Sequence, residues 1–286
     1  MWIILAVASA FFAGITAILA KCGIKNVDSN LATALRTVVV LVFSWIMVFV
    51  VGGQATLASI DNKTFLFLIL SGISTGASWL CYFKALQIGD INKVTPIDKS
   101  STVITIILAL IFLKEGITFI KCIAIVLICI GTFLMIQKKE PTEKIVKNNL
   151  WFIYALGAAI FASLTTILGK VGIENIDANL GTAIRTVVVL IMAWIVVFVT
   201  KKQNTIKEID LKSWIFLALS GIATGASWLC YYSALQKGPA SIVVPIDKLS
   251  IVVTIIFSYF VFKEKLSKKA FVGLFLIIGG TLMMLL

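Results

Sequence analysis

Histidine is absent from the 286-residue chain, proline occurs four times, and acidic residues number 13. The missing histidine excludes an imidazole acid–base pair and every histidine-ligated metal site. Charged residues make up 13% of the chain, against about 25% in soluble domains, and 60% of the chain is hydrophobic. That balance excludes a water-soluble enzyme, a disordered chain and a coiled coil. The five cysteines (Cys22, Cys81, Cys122, Cys129, Cys230) form no CxxC pair and read as small packing residues. What is present is a series of apolar runs of about twenty residues, the length of a membrane-crossing helix. They do not alternate apolar with polar, so an outer-membrane barrel is excluded too. The net charge of +12 fits lysines and arginines at membrane edges better than nucleic-acid binding.

Shifted by 149 residues, the sequence overlays itself without a gap: residues 1–137 match 150–286 at 69 of 137 positions. Lys21 falls on Lys170, Arg36 on Arg185, Trp79 on Trp228, Pro96 on Pro245, Asp98 on Asp247 and Glu115 on Glu264. The expected organisation is a five-helix repeat over 1–137, a polar linker over 138–149 and a second repeat over 150–286. Expected spans in the first repeat are 2–20, 30–51, 65–87, 91–113 and 117–136. In the second they are 151–169, 179–200, 214–236, 240–262 and 268–286. The first span lacks a basic n-region and its copy lies in mid-chain, so it reads as a transmembrane helix, not a signal peptide.

Five is an odd number. A repeat that enters on one side leaves on the other, and a short linker then starts the second repeat upside down. The expected fold is therefore all-α, with ten transmembrane helices in two inverted-topology repeats; in such folds substrates bind near the midplane at the repeat interface. Sorting the loop lysines puts 14 on the linker side and four on the other, which by the positive-inside rule places the linker in the cytoplasm and both termini outside.

Charges deep within a transmembrane helix are costly, so they tend to face a cavity and find a partner. The candidates come in repeat-related pairs. Pro96-Ile97-Asp98-Lys99 and Pro245-Ile246-Asp247-Lys248 place an acid and a base just after a proline that opens a helical turn. They read as a substrate or proton site; the alternatives are a staple from Asp98 to Lys99 or Arg36, or a first-turn cap with Pro96 at N1. In the third helix Ser71, Thr75, Ser78 and Tyr82 form a polar stripe beside Gly72, Gly76 and Trp79; Ser220, Thr224, Ser227 and Tyr231 repeat it beside Gly221, Gly225 and Trp228. The glycines permit close helix approach. Trp79, Tyr82, Trp228 and Tyr231 suit either an aromatic box for a cation or interfacial anchors. Arg36 and Arg185 in the second helices could hold a carboxylate or phosphate or snorkel to headgroups. Asp28 and Asp177 read as helix N-caps, and Lys21 and Lys170 as snorkelling helix-end residues. The Lys114-Glu115 and Lys263-Glu264 steps read as loop charges that could form a gate.

Two five-helix halves, the SGxxTGASWLCY run in each third helix and the KE step after each fourth resemble the EamA family of the drug/metabolite transporter superfamily. The phrases NLxTAxRTVVV, SWLCY and VxPIDK look like its single-repeat branch, here duplicated and fused. The resemblance implies a central cavity lined by the first four helices of each half, peripheral fifth helices, and export or exchange of small metabolites such as amino acids. It also implies cytoplasmic termini, against the lysine count. The first helix carries no glutamate of the kind that small multidrug-resistance relatives use, so their proton–drug antiport is not carried over.

The expected function is secondary transport of a small polar metabolite, an amino acid or amine, across the cell membrane. Protons are a candidate coupling ion, no cofactor or metal is expected, and the chain would act as a monomer or homodimer. A lipid-carrier flippase and a non-transporting scaffold are the alternatives. An intramembrane enzyme is not expected, since the chain has neither a GxSxG nor an HExxH signature.

Overall fold

A computed structural model describes residues 1–286 apart from 24–26, 89–90, 136–149 and 264–266. The expected linker at 138–149 and Glu264 lie outside the described residues. No strand occurs among the described residues. The helices are α1 (Trp2–Gly23), α2 (Ser29–Val51), α3 (Asn62–Ile88), α4 (Ile91–Lys99), α5 (Ser101–Phe112), α6 (Phe119–Met135), α7 (Leu150–Gly172), α8 (Ala178–Val199), α9 (Leu211–Lys237), α10 (Ala240–Lys248), α11 (Ser250–Phe262) and α12 (Lys268–Met283). Short 3-10 segments, Gly53–Ser59 and Gln203–Glu208, follow α2 and α8. Asp28 and Asp177 start α2 and α8 as expected, each accepting two backbone N–H groups of its first turn.

Seven segments among the described residues are long and apolar enough to cross a bilayer. They are α1, α2, residues 62–86 of α3, α7, α8, α9 and the run 240–260 through α10 and α11. The fifth helices α6 and α12 have 17 and 16 residues, about 26 and 24 Å, under the ~30 Å hydrocarbon thickness. Large apolar side chains such as Ile4, Phe49, Phe119 and Phe260 stand 61–80% exposed, a surface that suits lipid and not water.

The expected fourth spans each divide in two, α4 from α5 at Ser100 and α10 from α11 at Leu249. Pro245 has no N–H and its ring pushes away the preceding turn. The ladder recovers through tighter i→i−3 bonds: Ser100 N–H donates to Ile97 O at 3.1 Å and Leu249 N–H to Ile246 O at 3.0 Å. Both residues keep right-handed helical dihedrals. The break is a tightened turn, not the unwound stretch that a discontinuous helix would show.

The chain forms two compact units. The first comprises residues 1–73, 168–238 and 250–264. In it α1 packs along α9 in the opposite direction: Trp2 meets Gly238 at one end and Gly23 meets Leu217 at the other. Midway, Ser227 Oγ donates to the Ser9 carbonyl at 3.1 Å. α2 packs on α8, again antiparallel, because the end of α2 meets the start of α8: Gly53 lies on the Asp177 side chain and Val48 clusters with Leu180 and Ala183. Glycine is required where these layers touch. A methyl group on Gly221 would come within 2.6 Å of Val39 Cβ, and one on the equivalent Gly72 within 2.6 Å of Val188 Cβ.

The second unit comprises 74–167, 239–249 and 265–286. Its main contact is α6 on α12, where Gly131 and Gly273 face one another's backbone, a small-residue packing typical of lipid-embedded helices. Ile106, Ala124, Ile128 and Met284 form one buried cluster, and Ala85, Val94 and Ala155 another. Ser78 Oγ donates to the Ala158 carbonyl at 2.9 Å, repeating the Ser227–Ser9 bond at equivalent positions.

Candidate functional site

The second unit holds Ser78, Trp79, Tyr82, Asp98, Lys99, Asp247 and Lys248. At the end of α4 the Asp98 side chain is 20% exposed and stands 3.6 Å from Lys99 Nζ, which is 58% exposed. The ion pair joins chain neighbours, so it ties no two helices together. Tyr82 of α3 hydrogen-bonds the Thr95 side chain, one turn before Asp98. Tyr82 is therefore tied into the second unit near the acid. Asp247 is partly buried and Lys248 exposed. The break after α4 is held by Ser163 of α7, whose Oγ donates to the Ser101 carbonyl at 2.9 Å.

Glu115, expected as a loop charge that could form a gate, lies in the loop after α5, and its carboxylate accepts the first two N–H groups of α10, from Ala240 at 2.6 Å and Ser241 at 2.9 Å. Lys114, just before it, is left-handed with φ 52°, which turns the chain so that the carboxylate can reach. The N-terminus of the helix carrying Asp247 thus rests on this side chain. The signal in sequence was the repeated lysine–glutamate step, but which helix it meets is a matter of tertiary packing.

The first unit holds Arg36, Arg185, Ser227, Trp228 and Tyr231. Arg185 of α8 is 2% exposed. Its Nε donates to Ser71 Oγ at 3.2 Å, and its guanidinium lies 5.3 Å from the Trp228 ring centroid and 4.6 Å from that of Tyr232. An aromatic pair does surround a cation, but the cation is the protein's own and the second ring is Tyr232. Tyr231 packs edge-on against Tyr232 at 5.3 Å. Arg36 of α2 donates to Thr224 Oγ1 at 2.9 Å, and Thr224 donates onward to the Ser220 carbonyl at 2.7 Å. Thr224, Trp228 and Tyr232 fall four residues apart, on one face of α9. That single stripe receives both guanidinium groups. Neither arginine therefore snorkels freely to headgroups. Lys170 is tied down as well, donating to the Gly238 carbonyl at 2.5 Å at the end of α9. Ser78 and Ser227 use their hydroxyls between helices, on the carbonyls described above.

A family model described as the EamA-like transporter family matches residues 1–137 and 149–286. The chain belongs to this family. It is a multi-pass cell-membrane protein, and its two matches make it a duplicated-repeat member. Among its relatives is an uncharacterized transporter in the cobO 3' region of Sinorhizobium sp., 44% identical over 137 residues, 48% of this chain and 97% of the relative. One repeat of the present chain thus spans nearly that whole protein. Another is a probable 4-amino-4-deoxy-L-arabinose-phosphoundecaprenol flippase subunit ArnE of Pseudomonas fluorescens, 36% identical over 67 residues, 23% of this chain and 57% of the relative. A solved crystal structure shares the fold with a TM-score of 0.76 at 14% identity, covering 98% of this chain and 95% of that one.

Proposed function

We propose that this family member is a secondary active transporter, an exporter or exchanger, that moves a small polar metabolite by alternating access around a cavity between two inverted five-helix repeats. The observation that carries the proposal is that charged side chains come in repeat-related pairs, Arg36 with Arg185 and Asp98 with Asp247, and that Arg36, Arg185 and Asp247 lie within segments long and apolar enough to cross a bilayer. Such residues are expensive in lipid unless they serve a substrate or ion path. Inversion is supported by α2 and α8, which occupy equivalent repeat positions and pack antiparallel. Ten spans require α4–α5, α6 and α12 to cross besides the seven longer segments. The cargo we favour is an amino acid or amine, with Asp98 and Asp247 as proton-coupling groups; enzymatic activity forms no part of this function.

Proteoliposome uptake tests it. Wild-type protein should take up a labelled amino acid or amine down an imposed pH gradient, and Asp98→Asn with Asp247→Asn should abolish the pH-driven part while leaving folded yield intact. Wild-type rates in the double variant would remove the proton role. The likeness to the ArnE subunit favours a second reading, a flippase for a phosphate-linked lipid, with Arg36 and Arg185 at the headgroup. Failure to move any soluble amino acid or amine, together with movement of a fluorescent phospholipid between leaflets, would select it.

A further inference from the structure

Among the described residues, Arg36 is a largely buried cation with few partners. Among the described residues its partner is Thr224, and its Nε is buried with no hydrogen-bond partner. A guanidinium carries five N–H donors and stays charged, so most of its donor capacity is unused. No described acid of the first unit compensates it. Asp28, Asp61, Asp177 and Asp210 accept N–H groups at helix starts, and Glu174 and Glu208 are exposed outside the spans. Arg36 is the eighth residue of α2, about 10 Å along the helix, and it meets α9 at the middle of that helix's length. A second cation, Arg185, stands one step further along the same α9 stripe, about 6 Å of helix rise from Thr224 to Trp228. A second positive charge on the same stripe raises the cost of leaving Arg36 uncompensated.

We infer that Arg36 is the docking point for an oxyanion group of the transported molecule, a carboxylate or phosphate, with Arg185 adding field from its aromatic seat. The inference rests on the transporter reading and narrows it. Cargo must carry an acid group, and amines without one are excluded because Trp228 and Tyr232 already enclose Arg185. The planar fork of Arg36 matches the two oxygens of such a group.

The test is a thermal-shift titration of the purified full-length chain with matched probes: L-phenylalanine against phenethylamine, L-lysine against cadaverine, glycerol 3-phosphate against glycerol, and inorganic phosphate. A parallel arm uses phosphatidylcholine nanodiscs with and without phosphatidic acid. Binding to the folded state raises apparent stability by mass action. At least one carboxylate or phosphate probe should give a saturable shift that its acid-free counterpart lacks. Arg36→Gln should weaken that probe at least ~10-fold, the scale of losing a charge-assisted bond. Arg36→Lys, which keeps the charge but not the fork, should weaken it about 3-fold or more, and it carries the test if Arg36→Gln does not fold. Stabilisation by phosphatidic acid alone, lost in the same variants, would support the oxyanion site and assign it to a lipid headgroup. Amines binding as tightly as their parent acids, unchanged affinity in both variants, or no shift with any probe would overturn the inference. Uptake of an amino acid that is insensitive to Arg36→Gln would sink the inference and leave transport standing. Arg36-dependent binding without uptake of any probe would do the reverse.

Discussion

Removing the Glu115 carboxylate should loosen the helix that carries Asp247. Ala240 and Ser241 are 0% exposed, so their N–H groups have no water to fall back on. The next two donors are already satisfied, since the amides of Ile242 and Val243 both reach the Pro239 carbonyl at 3.1 and 2.9 Å. Pro239 itself has no N–H. The two first-turn donors therefore depend on Glu115, and each charge-assisted bond is worth about 1.5–3 kcal/mol. The carboxylate also faces the positive end of the α10 dipole. Glu115 is only partly buried, so water entering the gap returns part of the loss. Glu115→Ala should cost about 2–4 kcal/mol, and Glu115→Gln about half of that, because one amide oxygen still accepts. Reversible unfolding in mixed detergent micelles measures the cost, and hydrogen exchange places it: protection should fall first at Ala240 and Ser241. Unfolding free energy in Glu115→Ala within 0.5 kcal/mol of wild type would refute the capping argument. So would exchange that rises elsewhere and not at those two amides.

Three other outcomes are expected. Gly131→Ala puts a methyl group 2.6 Å from the Gly273 carbonyl oxygen and 2.9 Å from the Ile277 backbone nitrogen, so α6 and α12 must part; a loss of about 1–3 kcal/mol is expected, and unchanged thermal stability would contradict the packing. Asp61 and Asp210, exposed at the starts of α3 and α9, are held below the ordinary aspartate range chiefly by hydrogen bonds from Thr64 and Ser213; their contribution is fully present above the unfolded aspartate pKa and is lost as pH falls through the lower folded value. Replacing both by Asn should flatten the stability profile below about pH 4, and an unchanged acid limb would refute this. Ser78→Ala and Ser227→Ala each delete one hydroxyl-to-carbonyl bond between helices and should cost only ~0.6 kcal/mol with transport retained; loss of uptake at wild-type stability would make those hydroxyls cargo ligands instead.

The repeat, the helical class and the membrane setting were legible because they rest on composition and on a 149-residue self-match, both local properties of the string. The aspartate caps at Asp28 and Asp177 were legible for the same reason, since a cap acts on its own first turn. The junctions at Ser100 and Leu249 were half legible: proline announces a disturbance, but whether the backbone unwinds or tightens depends on which nearby carbonyl takes the next amide. Here Ile97 and Ile246 take it, and the turn stays helical. The glycine contacts of α6 with α12 were not foreseen, because a small residue shows its purpose only against the backbone that it admits.

The arginines show where reading by periodicity stops. A helix face identifies Thr224, Trp228 and Tyr232 as neighbours of one another, yet nothing local says that α2 and α8 will deliver Arg36 and Arg185 onto that face. An aromatic pair read alone suggests a seat for a foreign cation; with Arg185 4.6 Å from the Tyr232 ring centroid, the seat is taken and its sign is reversed. The stripe then presents positive charge, and a cation–π contact is no obstacle to this, because it holds the guanidinium through its face. Repeat symmetry sharpens the contrast. In the repeat alignment Tyr232 falls on Phe83, so the two halves differ in chemistry at this position. One arginine is anchored by aromatic faces and a serine, the other by a threonine with its Nε bare.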